Sequence, residues 1–321
     1  MRRHPRIEGL LDEAQRDERC ATGRSDADRK ALNRRVAAGE LINPYPNLYM
    51  RVASWNDLTV MRRAMHVAKG LALLHPRWTF AGLTAATVHG FDHSTSLHDG
   101  TVAIASSRAS RPGDCGKLKR IRMEDVPSVV VAGLSVTDPV RTLLDCGSAF
   151  AFEEALAIFD SAVRQGIRID DVLAAACPRG RALPGVDVAR IAMLCDHADG
   201  LSDNGGESAL RALMISNGFL KPQLQRRFEN PDNPLGPYRA DFSWDLRSGI
   251  VVGEYDGMAK YAIPQNGDRC AIQTVVHAER RREDHLRAQG VAAIVRFEFE
   301  DILRPGRLVR KLVDAGVPRS G

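Results

Sequence analysis

The segment from Tyr238 to Lys260 constrains this chain more tightly than any other, because it alternates like a strand, turns once and alternates again. Arg247-Ser248-Gly249 supplies turn chemistry, and Phe242, Trp244, Ile250, Val251, Val252 and Tyr255 are strand formers. A turn centred on Arg247 and Ser248 predicts a β-hairpin in which Asp241 faces Glu254, since residues equidistant from a turn become cross-strand neighbours. Asp256 follows on the same face. Phe242, Trp244, Val251 and Tyr255 belong to the opposite face, where they can be buried. Three neighbouring carboxylates repel. Protons, basic partners or a divalent cation make such a face tolerable, and hard oxygen ligands suit Mg²⁺ or Mn²⁺.

The flanks extend this region on both sides. Glu207 opens a helix that buries Leu210, Leu213 and Met214, with Gly218 as its C-cap, and Gln223 to Phe228 reads as a strand. A carboxylate in a first turn is stabilised by the helix dipole alone, but the hairpin carboxylates downstream make Glu207 a site candidate. Tyr261 to Thr274 reads as a loop and Val275 to Gln289 as a helix, basic at Arg280, Arg281, Arg282 and Arg287. Glu283 and Asp284 allow many of those charges to pair along the helix, so a solvated face and a phosphate-facing one are both open. Val291 to Phe299 closes the sheet, and Leu308, Leu312 and Val313 belong to a last helix.

Five short matches then occur in order. They are Gly206-Glu207-Ser208, Ala240-Asp241-Phe242, Glu254-Tyr255-Asp256-Gly257, Arg281-Arg282-Glu283-Asp284-His285-Leu286 and Val295-Arg296-Phe297. With their αβββαβ order they resemble PD-(D/E)XK nucleases, in particular the family similar to very-short-patch-repair endonucleases. The resemblance implies that Asp241 and Glu254 hold Mg²⁺ or Mn²⁺, that Glu207 orients water or completes a second metal shell, and that Arg281 and Arg282 face DNA. The family pattern carries lysine two residues after the glutamate, where this chain has Asp256. Lys260 is the nearest candidate for that role, completing a catalytic set of Glu207, Asp241, Glu254, Asp256 and Lys260. It is equally a surface lysine with its stem over Tyr261.

The first fifty residues carry a different pattern. Ile7, Leu10, Leu11 and Ala14 mark one amphipathic helix; a second follows Ser25, with Asp28 in a capping-box position and Gly39 as its stop. Leu32 and Val36 give it an apolar edge, while Arg29, Lys30, Arg34 and Arg35 suit phosphate or base contact. Glu40 to Arg51 reads as two short strands around Asn43-Pro-Tyr-Pro-Asn47, a wing after a recognition helix. A solvated basic helix is the competing reading.

This module, Phe80-Ala-Gly-Leu-Thr-Ala-Ala-Thr-Val-His-Gly90 and Thr137-Asp-Pro-Val-Arg-Thr-Leu-Leu-Asp145 are together similar to antitoxin-like proteins of AbiEi-type toxin-antitoxin systems. That resemblance implies DNA binding and a toxin protein as partner. The family's wing is rich in arginine, whereas Asn43 and Pro44 stand here.

Between the two ends, helices are expected over Thr59 to Leu74, Phe80 to His89, about Val140 to Leu144 and Phe152 to Arg164. Strands are expected at Val102 to Ala105 and Val129 to Ala132, with a basic hairpin or loop between them holding Arg108, Arg111, Lys117, Lys119, Arg120 and Arg122. His66, His75 and His89 lack any ligand spacing such as H-E-x-x-H and read as structural. Six scattered cysteines without a C-x-x-C pair argue against zinc and a disulfide framework. No apolar run approaches the roughly 18 residues of a membrane span, and the N-terminus lacks a signal core. A cytoplasmic protein without membrane or organic cofactor is expected.

The 321 residues suffice for several cores, and the net charge of +5 permits an acidic partner without demanding one. The expected architecture is α+β in three parts. Residues 1–56 form a winged-helix-like module, 57–197 a mixed α/β middle domain, and 198–321 an αβββαβ restriction-endonuclease-like domain.

Overall fold

The computed structural model describes residues 5–106, 116–181, 183–257 and 269–320, less the side chains of 179 and 269–276. It is a mixed α+β structure with several small sheets. The chain divides into two compact units: the first runs to Phe150 and resumes over Ile167–Asp196, and the second takes Ala151–Gly166 and everything from His197 onward. The 1–56 segment and most of the 57–197 segment therefore share the first unit, while residues 151–166 and His197 of the latter belong to the second. Among the described residues, no helix is long and apolar enough to cross a membrane.

The first unit opens with α1 (Pro5–Arg16), whose buried Ile7, Leu10, Leu11 and Ala14 follow the predicted spacing. Strand β1 (Ala21–Thr22) leads into α2 (Asp26–Ala37), capped by the Ser25 hydroxyl, which accepts the Asp28 N–H at 3.2 Å. Gly39, at φ +73°, takes the left-handed conformation that ends helices. Strands β2 (Leu41–Ile42) and β3 (Leu48–Arg51) complete an antiparallel sheet of order β1-β3-β2. A helix-turn-helix joins its helices by a short turn, but here α1 reaches α2 only through β1.

Helices α3 (Val52–Asn56), α4 (Val60–Leu74) and α5 (Gly82–His89) follow. Phe80, expected within the α5 helix, is instead fully buried strand-like backbone: its N–H donates to Ser135 O and its carbonyl accepts from the Thr137 N–H, both at 2.8 Å. Strand β4 (Val102–Ser106) pairs in parallel with β5 (Leu118–Arg122), and β6 (Ser128–Val131) with β7 (Leu134–Thr137) antiparallel. Lys119, Arg120 and Arg122 thus lie on a strand parallel to β4, a correction to the expected basic hairpin or loop. Leu118 and Ile121 supply its apolar positions between the cations. Arg108 and Arg111 lie outside the described residues.

Helix α6 (Pro139–Ala149) starts where Thr137-Asp-Pro predicts, with Asp138 Oδ1 accepting the Arg141 N–H at 2.7 Å. The chain then lends α7 (Phe152–Arg164) to the second unit and returns for α8 (Ile169–Ala176) and α9 (Val188–His197).

The second unit continues with α10 (Gly205–Ser216), β8 (Gln223–Phe228), β9 (Tyr238–Leu246) and β10 (Gly249–Asp256). Next come α11 (Arg269–Ala288), β11 (Val291–Glu298), α12 (Phe299–Leu303) and α13 (Pro305–Asp314). Residues 269–274, expected in a loop, are part of α11. The sheet has order β11-β10-β9-β8, with β8, β9 and β10 antiparallel and β11 parallel to β10. The hairpin pairs Gly249 with Leu246 through to Gly253 with Phe242, the register of a turn at Arg247 and Ser248. Phe242, Trp244, Val251 and Phe297 form a core with Leu210 and Met214 of α10 and Leu308 and Leu312 of α13. Ala240, Val252 and Val291 pack with Leu286 of α11 in a second cluster. Burying each large apolar side chain contributes about 1.5–3 kcal/mol, so the sheet is a firm platform for what its strand ends carry.

Helix α7 is attached by charge as well as packing. Arg211 of α10, fully buried, donates Nη2 to both carboxylate oxygens of Asp160 at 2.6 and 2.7 Å and Nη1 to His197 O at 2.6 Å. The Asp199 N–H adds a bond to Asp160 Oδ1 at 2.9 Å. These bonds meet both carboxylate oxygens and both Nη groups, which offsets much of the cost of burying the pair, while Arg211 Nε has no hydrogen-bond partner among the described residues.

Candidate active site

The paired register of β9 and β10 ends at Phe242 and Gly253, and the next positions along it are Asp241 and Glu254. There a side chain replaces the ladder, with Asp241 Oδ2 accepting the Tyr255 N–H at 2.8 Å. On the other edge of β9 the β8 pairing also skips Asp241, together with Gln225. Gln225 has φ +53°, uncommon for a residue with a side chain and characteristic of sites under functional constraint.

Gln225 links two carboxylates. Its Nε2 donates to Glu207 Oε2 at 3.0 Å and lies 3.5 Å from Asp241 Oδ1, while its Oε1 is buried without a hydrogen-bond partner among the described residues. Asn204 caps α10 by accepting the Gly206 and Glu207 N–H groups, and its Nδ2 donates to Glu207 Oε1 at 2.6 Å. The Asp203 N–H donates to Glu207 Oε2 at 2.9 Å. Burial, followed by the charges of Asp241 and Asp203, pushes the Glu207 carboxyl up to about 7 despite these bonds. Gly206 is required beside it, because a methyl group there would collide with the Tyr255 ring.

Glu254 is 9% exposed and is held by the two Nη atoms of Arg282 from α11, Nη1 reaching Oε2 at 3.0 Å. Burial works against the Arg282 charge, but the Glu254 hydrogen bonds and the charges of Glu254 and Glu279 outweigh it, and the guanidinium holds its proton above the usual arginine range. Its carbon also lies 5.7 Å from the centre of the Tyr238 ring. Asp256 is 3.9 Å from Arg296 Nη1 on β11, and Arg296 also pairs with Glu279 and Glu283. Arg281 is mostly exposed, 3.3 Å from Asp232. Lys260 lies outside the described residues.

Among the described residues, no three His, Cys, Asp or Glu side chains are grouped to hold a metal ion. Magnesium asks for less, since it binds through one or two carboxylates and keeps waters and substrate phosphate for the rest of its shell. Asp241 and Glu254 match that hard-oxygen chemistry, and the buried Gln225 Oε1 next to them in the sheet is a further oxygen without a hydrogen-bond partner among the described residues. Arg282 is the competitor: a cation bound by Glu254 must displace the guanidinium.

In the first unit, the exposed face of α2 carries Arg29, Lys30 and Arg34. Arg29 pairs with Asp26. Arg35 is committed inward, its side chain 14% exposed and bonded to Glu8 at 2.8 Å and Glu40 at 2.7 Å. The Asn43–Asn47 turn is held by Asn43 Nδ2, which donates to Tyr45 O and Leu48 O at 2.8 and 2.6 Å. His66 and His89 lie 2.8 Å from backbone carbonyls, and His75 stacks on Trp78.

Sequence reasoning missed Gln225 and did not foresee that Arg282, expected to face DNA, holds Glu254. A glutamine in a strand gives no signal of a positive φ. Arg282 stands three residues after Glu279 and is indistinguishable in sequence from a helix-internal pair.

No protein-family model matches the chain. Two curated relatives from Mycobacterium tuberculosis, the uncharacterized protein MT2308 of strain CDC 1551 and the uncharacterized protein Rv2248 of strain H37Rv, are each 28% identical to it over 244 residues. Each match covers 71% of this chain and 78% of the relative. Among solved structures, the crystal structure of the RV2827C protein from Mycobacterium tuberculosis is similar at a TM-score of 0.38 and 13% identity, over 72% of this chain and 91% of that one.

Proposed function

We propose that the chain is a DNA-binding protein whose second unit hydrolyses phosphodiesters with Mg²⁺ or Mn²⁺, in the manner of the very-short-patch-repair-like PD-(D/E)XK nucleases it resembles. The observation that carries this reading is the cross-strand placement of Asp241 and Glu254, with Glu207 joined to Asp241 through Gln225. A divalent ion held by Asp241 and Glu254 would supply Lewis acidity to a phosphate and its attacking water. Glu207, with its carboxyl pushed up to about 7, is poised to exchange a proton near neutral pH. Arg282, released from Glu254, is placed to take the charge of the phosphate, which makes it the cation of the site alongside or instead of Lys260. Arg29, Lys30 and Arg34 on α2 and Arg281 on α11 supply exposed charge for the DNA backbone. Supercoiled plasmid incubated with the full chain and Mn²⁺ tests the proposal. Nicking that disappears in Asp241→Asn and Glu254→Gln is expected, and no nicking with either metal ends the enzymatic reading.

A second reading is a non-enzymatic, antitoxin-like autorepressor with a toxin partner, in which the nuclease fold has become a scaffold. It is favoured by Glu254 having both oxygens on Arg282, and by Asp256 standing where the nuclease pattern has lysine. Gel shifts on the DNA upstream of its own gene separate the two, since a repressor retains that DNA intact in Mn²⁺.

A further inference from the structure

Away from the carboxylates, three donor atoms converge in the first unit. His93 Nε2 and His98 Nε2 are 2.9 Å apart, and Met61 Sδ lies 3.1 Å from His98 Nε2. His93 Nδ1 is 2.7 Å from Phe91 O. A carbonyl only accepts, so Nδ1 carries the proton and Nε2 keeps its lone pair. Thr87 Oγ1 is 3.4 Å from that lone pair, but its own proton goes to Leu83 O at 2.9 Å. The His93 lone pair is therefore left to whatever lies between it and His98, which is either a proton on His98 or a cation. An Nδ1–H bonded to a carbonyl is the arrangement that fixes ring and tautomer in metal-binding histidines.

We propose that Met61, His93 and His98 form a binding site for a soft monovalent metal ion of the Cu(I) type. A thioether with two imidazoles selects Cu(I), because sulfur favours soft ions and imidazole accepts copper. All three ligands are neutral, so a dication would keep its full charge in a half-buried site. His98 lines a cavity of about 360 Å³, and among the described residues no carboxylate is grouped with the two histidines, so sulfur rather than a hard oxygen completes the donor set.

The site is held by local structure. Met61 is the second residue of α4, and the two histidines flank a single 3-10 turn, Thr95–Leu97, capped by Ser94 Oγ, which accepts the Ser96 N–H at 3.3 Å. At a metal–nitrogen distance of about 2.0 Å, two imidazole nitrogens stand about 3.3–3.5 Å apart, so the pair opens by only about 0.5 Å to admit an ion. His98 borders the cavity and gives the ion its route in, while His93 is 8% exposed. Burial lowers the proton affinity of both rings, His93 to about 4, so both are neutral ligands at physiological pH.

The experiment uses the full chain labelled with ¹⁵N-histidine, titrated anaerobically with Cu(I) as its bicinchoninate complex and, in parallel, with Ag(I). The protein is expected to withdraw one equivalent that shifts the Nε2 resonances of His93 and His98 while leaving the other histidines in place. Met61→Leu and His98→Gln, both close in size to the residues they replace, are expected to weaken that uptake by at least about tenfold while unfolding at the same temperature as wild type without metal. Failure to compete with bicinchoninate overturns the proposal. So does uptake that leaves the two resonances unmoved, which would assign the ion to cysteine thiols. Zn²⁺ shifting the same resonances equally in wild type and Met61→Leu would overturn the soft monovalent assignment.

Discussion

Arg282 grips Glu254 with both Nη atoms, so the most buried carboxylate of the hairpin end is neutralised from a helix rather than from its own sheet. Removing the cation leaves Glu254 near Asp241 and Asp256 without its counter-charge. Arg282→Met is expected to lower stability by roughly 1–3 kcal/mol in urea unfolding, the cost of orphaning a largely buried charge. Under the nuclease reading, saturating Mn²⁺ restores more stability to this variant than to wild type, because the ion no longer competes with a guanidinium. Equal restoration in both would argue that Glu254 does not bind the ion.

Glu207 predicts a pH dependence of defined sign. Its folded carboxyl is raised from 4.5 to about 7, so the folded state holds the proton that the unfolded chain has already released. The stabilisation is complete below about pH 4.5 and is lost as pH rises toward 7, by at most about 3 kcal/mol. Glu207→Gln is expected to remove this slope. Unfolding profiles of wild type and variant between pH 4.5 and 8 measure the difference directly; parallel curves would contradict it.

Two neighbouring arginines on α2 are expected to behave differently. Arg34→Ala, at an exposed position, should leave stability unchanged and, under the proposed DNA binding, lower its salt slope by about one unit for a lost phosphate contact. Arg35→Ala should destabilise the N-terminal fold, because it takes away the cation that joins Glu8 to Glu40 and leaves Glu8 on Arg51 alone. Thermal unfolding combined with salt-dependent gel shifts separates the two roles.

The hairpin was legible because a turn fixes its register arithmetically: the position of Arg247 and Ser248 sets the pairing down to Phe242 and Gly253, one step short of Asp241 and Glu254. Helix starts at Ser25 and Asp138 were legible because their caps are local. What stayed hidden is non-local or breaks periodicity. Asp160 reads as one polar position on an amphipathic helix and Arg211 as another, and nothing local announces that they meet across 51 residues. Strand β5 was hidden by its cations, whose long stems can cover apolar surface. His93 and His98 escaped notice because their spacing belongs to a 3-10 turn rather than to a helix face.

The Asp160–Arg211 pair predicts its own failure mode. Asp160→Asn leaves Arg211 charged and fully buried, and is expected to cost about 3–5 kcal/mol. A fragment beginning at residue 198 lacks Asp160 and the whole of α7, so it should be poorly soluble, whereas co-expression with a peptide spanning 151–166 should rescue it. Recovery of well-folded fragment without the peptide, judged by near-ultraviolet circular dichroism, would refute the requirement.

The loan of α7 also bears on inheritance. A recombination event that joins genes at a single point cannot transfer the carboxylate unit by itself, because Ala151–Gly166 lies upstream of Ile167–Asp196, which returns to the first unit. Any crossover after Gly166 and before His197 separates Asp160 from Arg211 and leaves each daughter with an unmatched buried charge. The interleaving of the two units therefore sets a folding cost on domain swapping that a chain of simple tandem domains does not carry.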